Sequence, residues 1–348
     1  MTDVASNAGT VVDPDLVAMM DSVMSAHRDT HSPSAPVILD TGFCSKISEL
    51  GLLRLTGSTE TGGSGAGWAE AAELISAAVR HAVRAPLAEH DLLACWLLEA
   101  AGLPVDDSIR TVCVLDESGI AVAVPWAACT QRIVTVWSDG QGHRVADIAA
   151  DSAHVSPGTN MIGEPRDTVA ADLSSLATQG TEVDAALIDQ LGWKCALVRA
   201  IQVCAALDTA LDLTIEHTSS RVQFGRSLSK FQAVQQIVAD TAAEAALARA
   251  ATEAALTAAI TSDWTADNLG FLVAVARSCS GHATSVVVRN AHQAHGAIGT
   301  TIEHRLHSYT RAALAWRSEY GSVHHWDDQV TRAAVSAGAS GLWPLITD

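Results

Sequence analysis

Between Ala315 and Trp326 the chain reads "AWRSEYGSVHHW", and Asp327 and Asp328 follow directly. A carboxylate, a phenol and two histidines this close together could move protons or hold a metal ion. Two further pairs, His292 with His295 and His304 with His307, are spaced so that each shares one face of a helix. Helical di-iron sites place Glu three residues before His, whereas Glu303 directly precedes His304. The pairs therefore fit an interface or a solvated flank, and no metal ligand is assigned. Seven cysteines, none in a CxxC pair, read as reduced thiols rather than as a disulfide or zinc framework.

Two other runs have the chemistry of a diphosphate site. "RVQFGRSLSKFQAVQQIVAD", Arg221 to Asp240, opens on a permanent, forked cation, and its Gly225 admits a positive φ that lets the backbone pass close to a ligand. "QAHGAIG", Gln293 to Gly299, supplies small residues whose backbone N–H groups suit the same anion. The glycine-rich "GSTETGGSGAG" lacks the Gly-Lys-Ser/Thr ending of a phosphate loop and follows no strand, so it reads as a linker between helices.

These runs need rigid elements to hold them. From residue 14 to 103 apolar positions recur at helical spacing, as in "WAEAAELISAAVRHAV" and "HDLLACWLLEAAG". From Ile109 the texture becomes β-branched, "IRTVCVLDESGIAVAVPWA" and "QRIVTVWSDGQGHRVADI", with turn signals at Glu117-Ser118-Gly119 and Asp139-Gly140. "VSPGTNMIGEPRDTV" reads as a crossing segment, and helical periodicity returns near Val183. Four long patterns then predict a four-helix bundle, the last running through Ile302, Leu306, Tyr309, Ala313 and Trp316. The expected fold is mainly α with a small middle β-domain: helices over 1–104, a reduced β-domain over 105–176 and a bundle over 177–348.

The Arg221–Asp240 run resembles the R-x-QFG-x-x-L-x-x-FQ-x-x-Q-x-x-x-AD signature of the acyl-CoA dehydrogenase family, and "QAHGAIG" resembles that family's Q-x-x-GG-x-G turn, with Ala297 for the second glycine. The resemblance implies the acyl-CoA dehydrogenase fold and FAD as cofactor. Carried over by position, Arg221, Gln223, Phe224, Gln232, Gln293, Ala294, His295, Gly296 and Ala297 are the candidate FAD contacts, directed mainly at a flavin lodged in a neighbouring subunit. The family's base is a glutamate in a Tyr-Glu-Gly-Thr stretch, which falls here on Glu319-Tyr320-Gly321-Ser322, with Tyr320 in the base position. On a helix Glu319 would be turned about 100° away. A phenol is a poor base at neutral pH. Other members carry the glutamate on the first bundle helix, where this chain has Cys195 beside Lys194; a packed small residue is the better reading of that thiol. No TEP-x-x-GSD or W-x-T/S segment occurs between Pro104 and Leu173.

That combination resembles the smaller, base-free subunit of heterotetrameric actinobacterial acyl-CoA dehydrogenases acting on steroid side chains. The resemblance implies no catalytic residue in this chain, FAD shared at an interface with a larger dehydrogenase-like subunit, an acyl-CoA substrate met through the complex, and an electron-transfer flavoprotein as acceptor. Two other readings remain open: a self-sufficient homotetramer using Glu319, and a flavin-free scaffold. With 39 acidic against 21 basic residues the formal charge is -18, which disfavours nucleic acid and anionic lipid as partners. The N-terminus has no basic run followed by an apolar one, so a cytoplasmic location is expected.

Overall fold

The computed structural model describes residues 12–30 and 36–347; the N-terminal stretch read above for a leader lies outside them through residue 11. The described residues fall in two compact units, Pro14–Cys195 and the helices from Ala196 onward.

The first unit opens with helices α1 (Pro14–Thr30), α2 (Thr41–Glu49) and α3 (Trp68–Arg80). Asp40 caps α2 by accepting the Phe43 N–H at 2.9 Å, and Glu70 turns back to accept the Gly67 N–H at 2.9 Å before α3. The helical pattern over "HDLLACWLLEAAG" is a π-helical stretch, Glu89–Cys95, running into α4 (Trp96–Ala100). Buried polar side chains accompany the widened turn: Asp91 accepts the Thr56 N–H at 2.9 Å, and His90 Nδ1 accepts the Arg110 N–H at 3.1 Å.

The β-rich texture forms two sheets. One has β1 (Arg110–Val114), β3 (Arg132–Ser138), β4 (His143–Ala149) and β7 (Thr181–Val183) in the order β1-β3-β4-β7, with β1 parallel to β3. The other orders β2 (Ile120–Pro125), β6 (Arg166–Ala170) and β5 (His154–Ser156) as β2-β6-β5. Val124, Ile133, Trp137, Ile148 and Val169 share one core between them. The segment expected to cross without structure holds the end of β5 and the start of β6. Asn160 organises its turn by accepting the Ile162 and Glu164 N–H groups, both at 3.1 Å. Between β6 and β7 lies the one-turn helix α5 (Leu173–Leu176).

Helix α6 (Ala185–Ser220) carries the chain into the second unit, where a two-residue ribbon, β8 (Val222–Gln223) with β9 (Arg226–Ser227), joins it to α7 (Gln232–Thr261). Helices α8 (Leu269–His295), α9 (Leu306–Trp316) and α10 (Val323–Thr347) follow. The alanine-rich face of α7 buries Thr241, Ala245, Ala248, Thr252, Ala255 and Ala259, alternating steps of four and three. Side chains this small let α8 approach α7 closely along its length. By length and composition α8 could cross a membrane, but half of that apolar window is buried within the fold. The last pattern starts later than its periodicity from Ile302 predicts, because His304 Nδ1 accepts the Leu306 N–H at 3.1 Å and α9 begins only there.

Candidate functional site

Arg221 immediately follows α6, and its N–H donates to the His217 carbonyl at 2.9 Å. Phe224 (φ 52°) and Gly225 (φ 82°) then form the tight turn between β8 and β9. Two consecutive positive φ angles suit the right-handed twist of a short ribbon, and glycine takes the second without strain. A Cβ at Gly225 would meet open space, so the demand there is conformational and leaves the backbone accessible. Arg221, Gln223 and Gln232 are exposed, and Phe224 is 88% exposed, with its ring edge-on to Phe231 at 6.1 Å. The Arg221 guanidinium makes no hydrogen bond or ion pair to any described residue.

The second motif ends α8. Gln293 is exposed, Ala294 half-buried and His295 buried, while Gly296 (φ 64°) and Ala297 are exposed at the start of a short 3-10 turn, Gly296–Thr300. Gly299 packs inward, where a Cβ would lie 2.8 Å from that of His295 and 3.2 Å from Leu306 Cδ2. The small residues Gly296 and Ala297 lead through this short turn to α9.

The stretch that the resemblance aligns with the family's base is a closed network. Helix α9 stops at Trp316, so Glu319 and Tyr320 sit in a turn rather than on the helix assumed above. Tyr320 has φ 55°, an uncommon conformation for a bulky residue. Arg199 of α6, 1% exposed, donates from Nε to Glu319 Oε2 at 2.7 Å and from Nη1 to Gln202 at 2.7 Å, and its guanidinium lies 5.1 Å from the Tyr320 ring. Arg277 of α8 is fully buried and donates to the carbonyls of Glu319 at 2.7 Å and Arg317 at 3.1 Å, which ties down the end of α9. Burial lowers the Arg277 pKa to about 10; nearby Arg199 pushes the same way and Glu319 opposes it. Gly321 closes the turn, its carbonyl accepting the Trp326 indole N–H at 3.2 Å.

Cys195 is buried, and its neighbour Lys194 places its ammonium 4.7 Å from the Trp68 ring centroid and 4.3 Å from that of Trp96. The histidine pairs do not act as pairs. His292 bonds Thr310 Oγ1 at 3.0 Å, His307 bonds the His304 carbonyl at 2.7 Å, and His325 lies edge-on to Trp326. Instead one member of each of two pairs, His295 and His304, meets His217 from the end of α6. Sequence reasoning did not find His217, Arg199 or Arg277. Arginines buried on helix faces with little charge nearby in sequence were the available signal for the last two.

Residues 190–333 match the family model described as acyl-CoA dehydrogenase, C-terminal domain. The chain is 26% identical over 302 residues to the protein named acyl-CoA dehydrogenase IpdE2 of Mycobacterium tuberculosis, covering 84% of this chain and 87% of the relative. Among solved structures, it superposes on a chain of the ChsE4-ChsE5 complex from Mycobacterium tuberculosis with TM-score 0.80 at 20% identity, covering 96% of this chain and 99% of that one. A chain of the Tcur3481-Tcur3483 steroid ACAD gives TM-score 0.79 at 17% identity, covering 93% and 98%. These two likenesses establish a shared fold, and the motifs at Arg221 and Gln293 lie inside the matched domain. Residues 190–333 thus match the C-terminal domain of the acyl-CoA dehydrogenase family, and the chain has the acyl-CoA dehydrogenase fold.

Proposed function

We propose that this chain is the base-free subunit of a heteromeric FAD-dependent acyl-CoA dehydrogenase, acting on a bulky acyl-CoA such as a steroid side chain. The observation that carries this reading is the ion pair between Glu319 and the buried Arg199. A carboxylate gripped by a buried guanidinium has to leave that partner before it can reach a substrate. The self-sufficient homotetramer would have to break that pair, which costs several kcal/mol.

The residues present fit the flavin. Arg221 offers an exposed cation with no partner among the described residues, and Gly225 and Gly296 keep open backbone beside it and beside Gln293. In the proposed complex Arg221 binds the pyrophosphate, Gln223, Gln232 and Gln293 give polar contacts, and Ala294 through Ala297 offer a close backbone. Phe224 covers the adenosine side from the neighbour's surface. When bound, FAD accepts the hydride equivalent taken from the acyl chain, while the base belongs to the larger subunit. The names of the relatives support this assembly: one solved neighbour is a two-component complex and another a steroid ACAD. An electron-transfer flavoprotein as acceptor, a cytoplasmic location and the division into 1–104, 105–176 and 177–348 belong to the same proposal.

Expression of the chain alone and together with a dehydrogenase-like larger subunit tests it, by visible flavin absorbance and oligomer mass. The expected result is a colourless chain alone and a yellow heteromer whose flavin is lost in Arg221→Ala. A chain that alone retains flavin and is bleached by an acyl-CoA would overturn the proposal in favour of the homotetramer. Unchanged flavin in the Arg221→Ala complex would favour the scaffold.

A further inference from the structure

The end of α6, the end of α8 and the turn before α9 converge on three imidazoles, of which only His295 also stands among the residues aligned with FAD contacts. His217, His295 and His304 each present a ring nitrogen within 4.8 Å of the other two. His217 stacks on His295 with centroids 4.5 Å apart and planes at 21°, and His304 stands edge-on to His295 at 4.7 Å. His295 is 5% exposed. Its Nδ1–H donates to the Ala291 carbonyl at 2.8 Å, which leaves Nε2 of the neutral ring as a bare, buried lone pair. A histidine whose outer nitrogen donates to a carbonyl while its inner nitrogen is bare has the tautomer of a metal ligand.

We propose that His217, His295 and His304 form a three-histidine site for a divalent transition metal of the zinc class, with an open fourth position for water. Imidazole is a borderline ligand that suits zinc, cobalt, nickel and copper, and three histidines with one open position are a recurrent zinc arrangement. In the free chain His304 Nδ1 accepts the Leu306 N–H, so its proton rests on Nε2. Metal binding moves that proton to Nδ1 through solvent, for no net change in protons, and releases one N–H in the first turn of α9, where backbone donors lack helical partners in any case. The nitrogens must also draw together, since Zn–N bonds of about 2.0–2.1 Å separate tetrahedral ligand atoms by less than their present spacing.

Burial first, and then the neighbouring imidazoles, hold His217 and His304 below the ordinary histidine pKa; Arg221 adds to this at His217, and Glu216 opposes it at His304. Burial lowers His295 as well, against the Ala291 and Leu213 carbonyls. Neutral imidazole is the form that binds metal. The ion would clamp the helix end that precedes Arg221 to the helix end that precedes Gly296. That consequence rests on the flavin reading above, whereas the binding itself does not.

The test uses the full chain, stripped with a chelator and titrated with Co²⁺ and then Zn²⁺. The expected result is one ion per chain, tetrahedral Co²⁺ absorption bands displaced by Zn²⁺, and a rise in melting temperature with Zn²⁺. His295→Phe, which keeps a stacked ring, should abolish the bands, and His304→Gln should weaken Co²⁺ binding by at least about tenfold. His324→Gln, outside the cluster, should leave both unchanged. Absence of Co²⁺ bands in the wild-type chain overturns the site, as does Co²⁺ binding that survives in both His295→Phe and His304→Gln. Flavin content is not part of this readout, so a failure here leaves the flavin reading standing, and the reverse also holds.

Discussion

Residues 315–328 and residues 221–232 look equally rich in chemistry in the sequence, yet they are opposites in the fold. In the first, Glu319 is paired with Arg199, the Arg317 and Glu319 carbonyls beyond α9 are held by Arg277, and Trp326 closes the turn. In the second, Arg221 has no partner among the described residues, and Phe224 stands almost wholly in solvent. A polar group satisfied inside its own chain contributes to that chain's stability. One left exposed on a strained, two-residue turn is available to something else. The difference separates a self-satisfied region from an exposed one within a single domain.

The largest expected effect comes from breaking the closed region. Glu319→Ala removes the carboxylate that the buried Arg199 grips at 2.7 Å and should cost about 3–5 kcal/mol in chemical denaturation. Turnover per folded complex should persist if, as proposed, the larger subunit carries the base; loss of turnover in well-folded Glu319→Gln would erase the contrast between the two regions. Arg221→Ala should do the reverse. It should weaken flavin retention in the complex by about 1.5–3 kcal/mol, the range for a charged hydrogen bond, with the denaturation midpoint of the isolated chain unmoved.

Asp91 carries the comparison into the first unit, as a buried acid without an ionic clamp. Burial raises its pKa from 3.8 to about 6, against the two Thr56 hydrogen bonds. The folded state thus holds a proton the unfolded state has lost, so this contribution favours folding at low pH and is lost as pH rises through about 6. Asp91→Asn should stabilise the chain by about 1–2 kcal/mol at neutral pH and flatten the acid side of a stability-against-pH curve. Without a positive φ for a side chain to avoid, Gly225→Ala would be harmless. At φ 82° it should cost about 1–2 kcal/mol, read as a lower melting temperature and weaker flavin binding. The smallest change expected is Phe224→Ser, within about 0.5 kcal/mol for the chain alone. Its effect should show only in assembly with the larger subunit, measured by sedimentation.

Much of the architecture was legible because its signals are local. The step of three or four along α6, α7 and α8, the β-branched run from Ile109 and the turn glycines at Gly119 and Gly140 all place elements without knowledge of their partners. Boundaries set by side-chain bonding were not legible: α9 begins at Leu306 because His304 accepts its N–H, and the widened helix at Glu89 accompanies polar groups that bond Thr56 and Arg110. Nor was the parallel pairing of β1 with β3, which depends on a partner across an intervening strand.

By itself the amino-acid sequence determined the helical and β segments, the Arg221 and Gln293 motifs, and the placing of Tyr320 where the resemblance expects a glutamate. Each of these is written in neighbouring residues, through periodicity, backbone freedom or residue type. Only the tertiary structure decided that Glu319 is bound to Arg199, 120 residues away, and that His217 joins His295 and His304. Ion pairing and ligand geometry act over a few ångströms of space. The chain brings such groups together only after its helices have packed, so their meeting has no local spacing by which to announce itself.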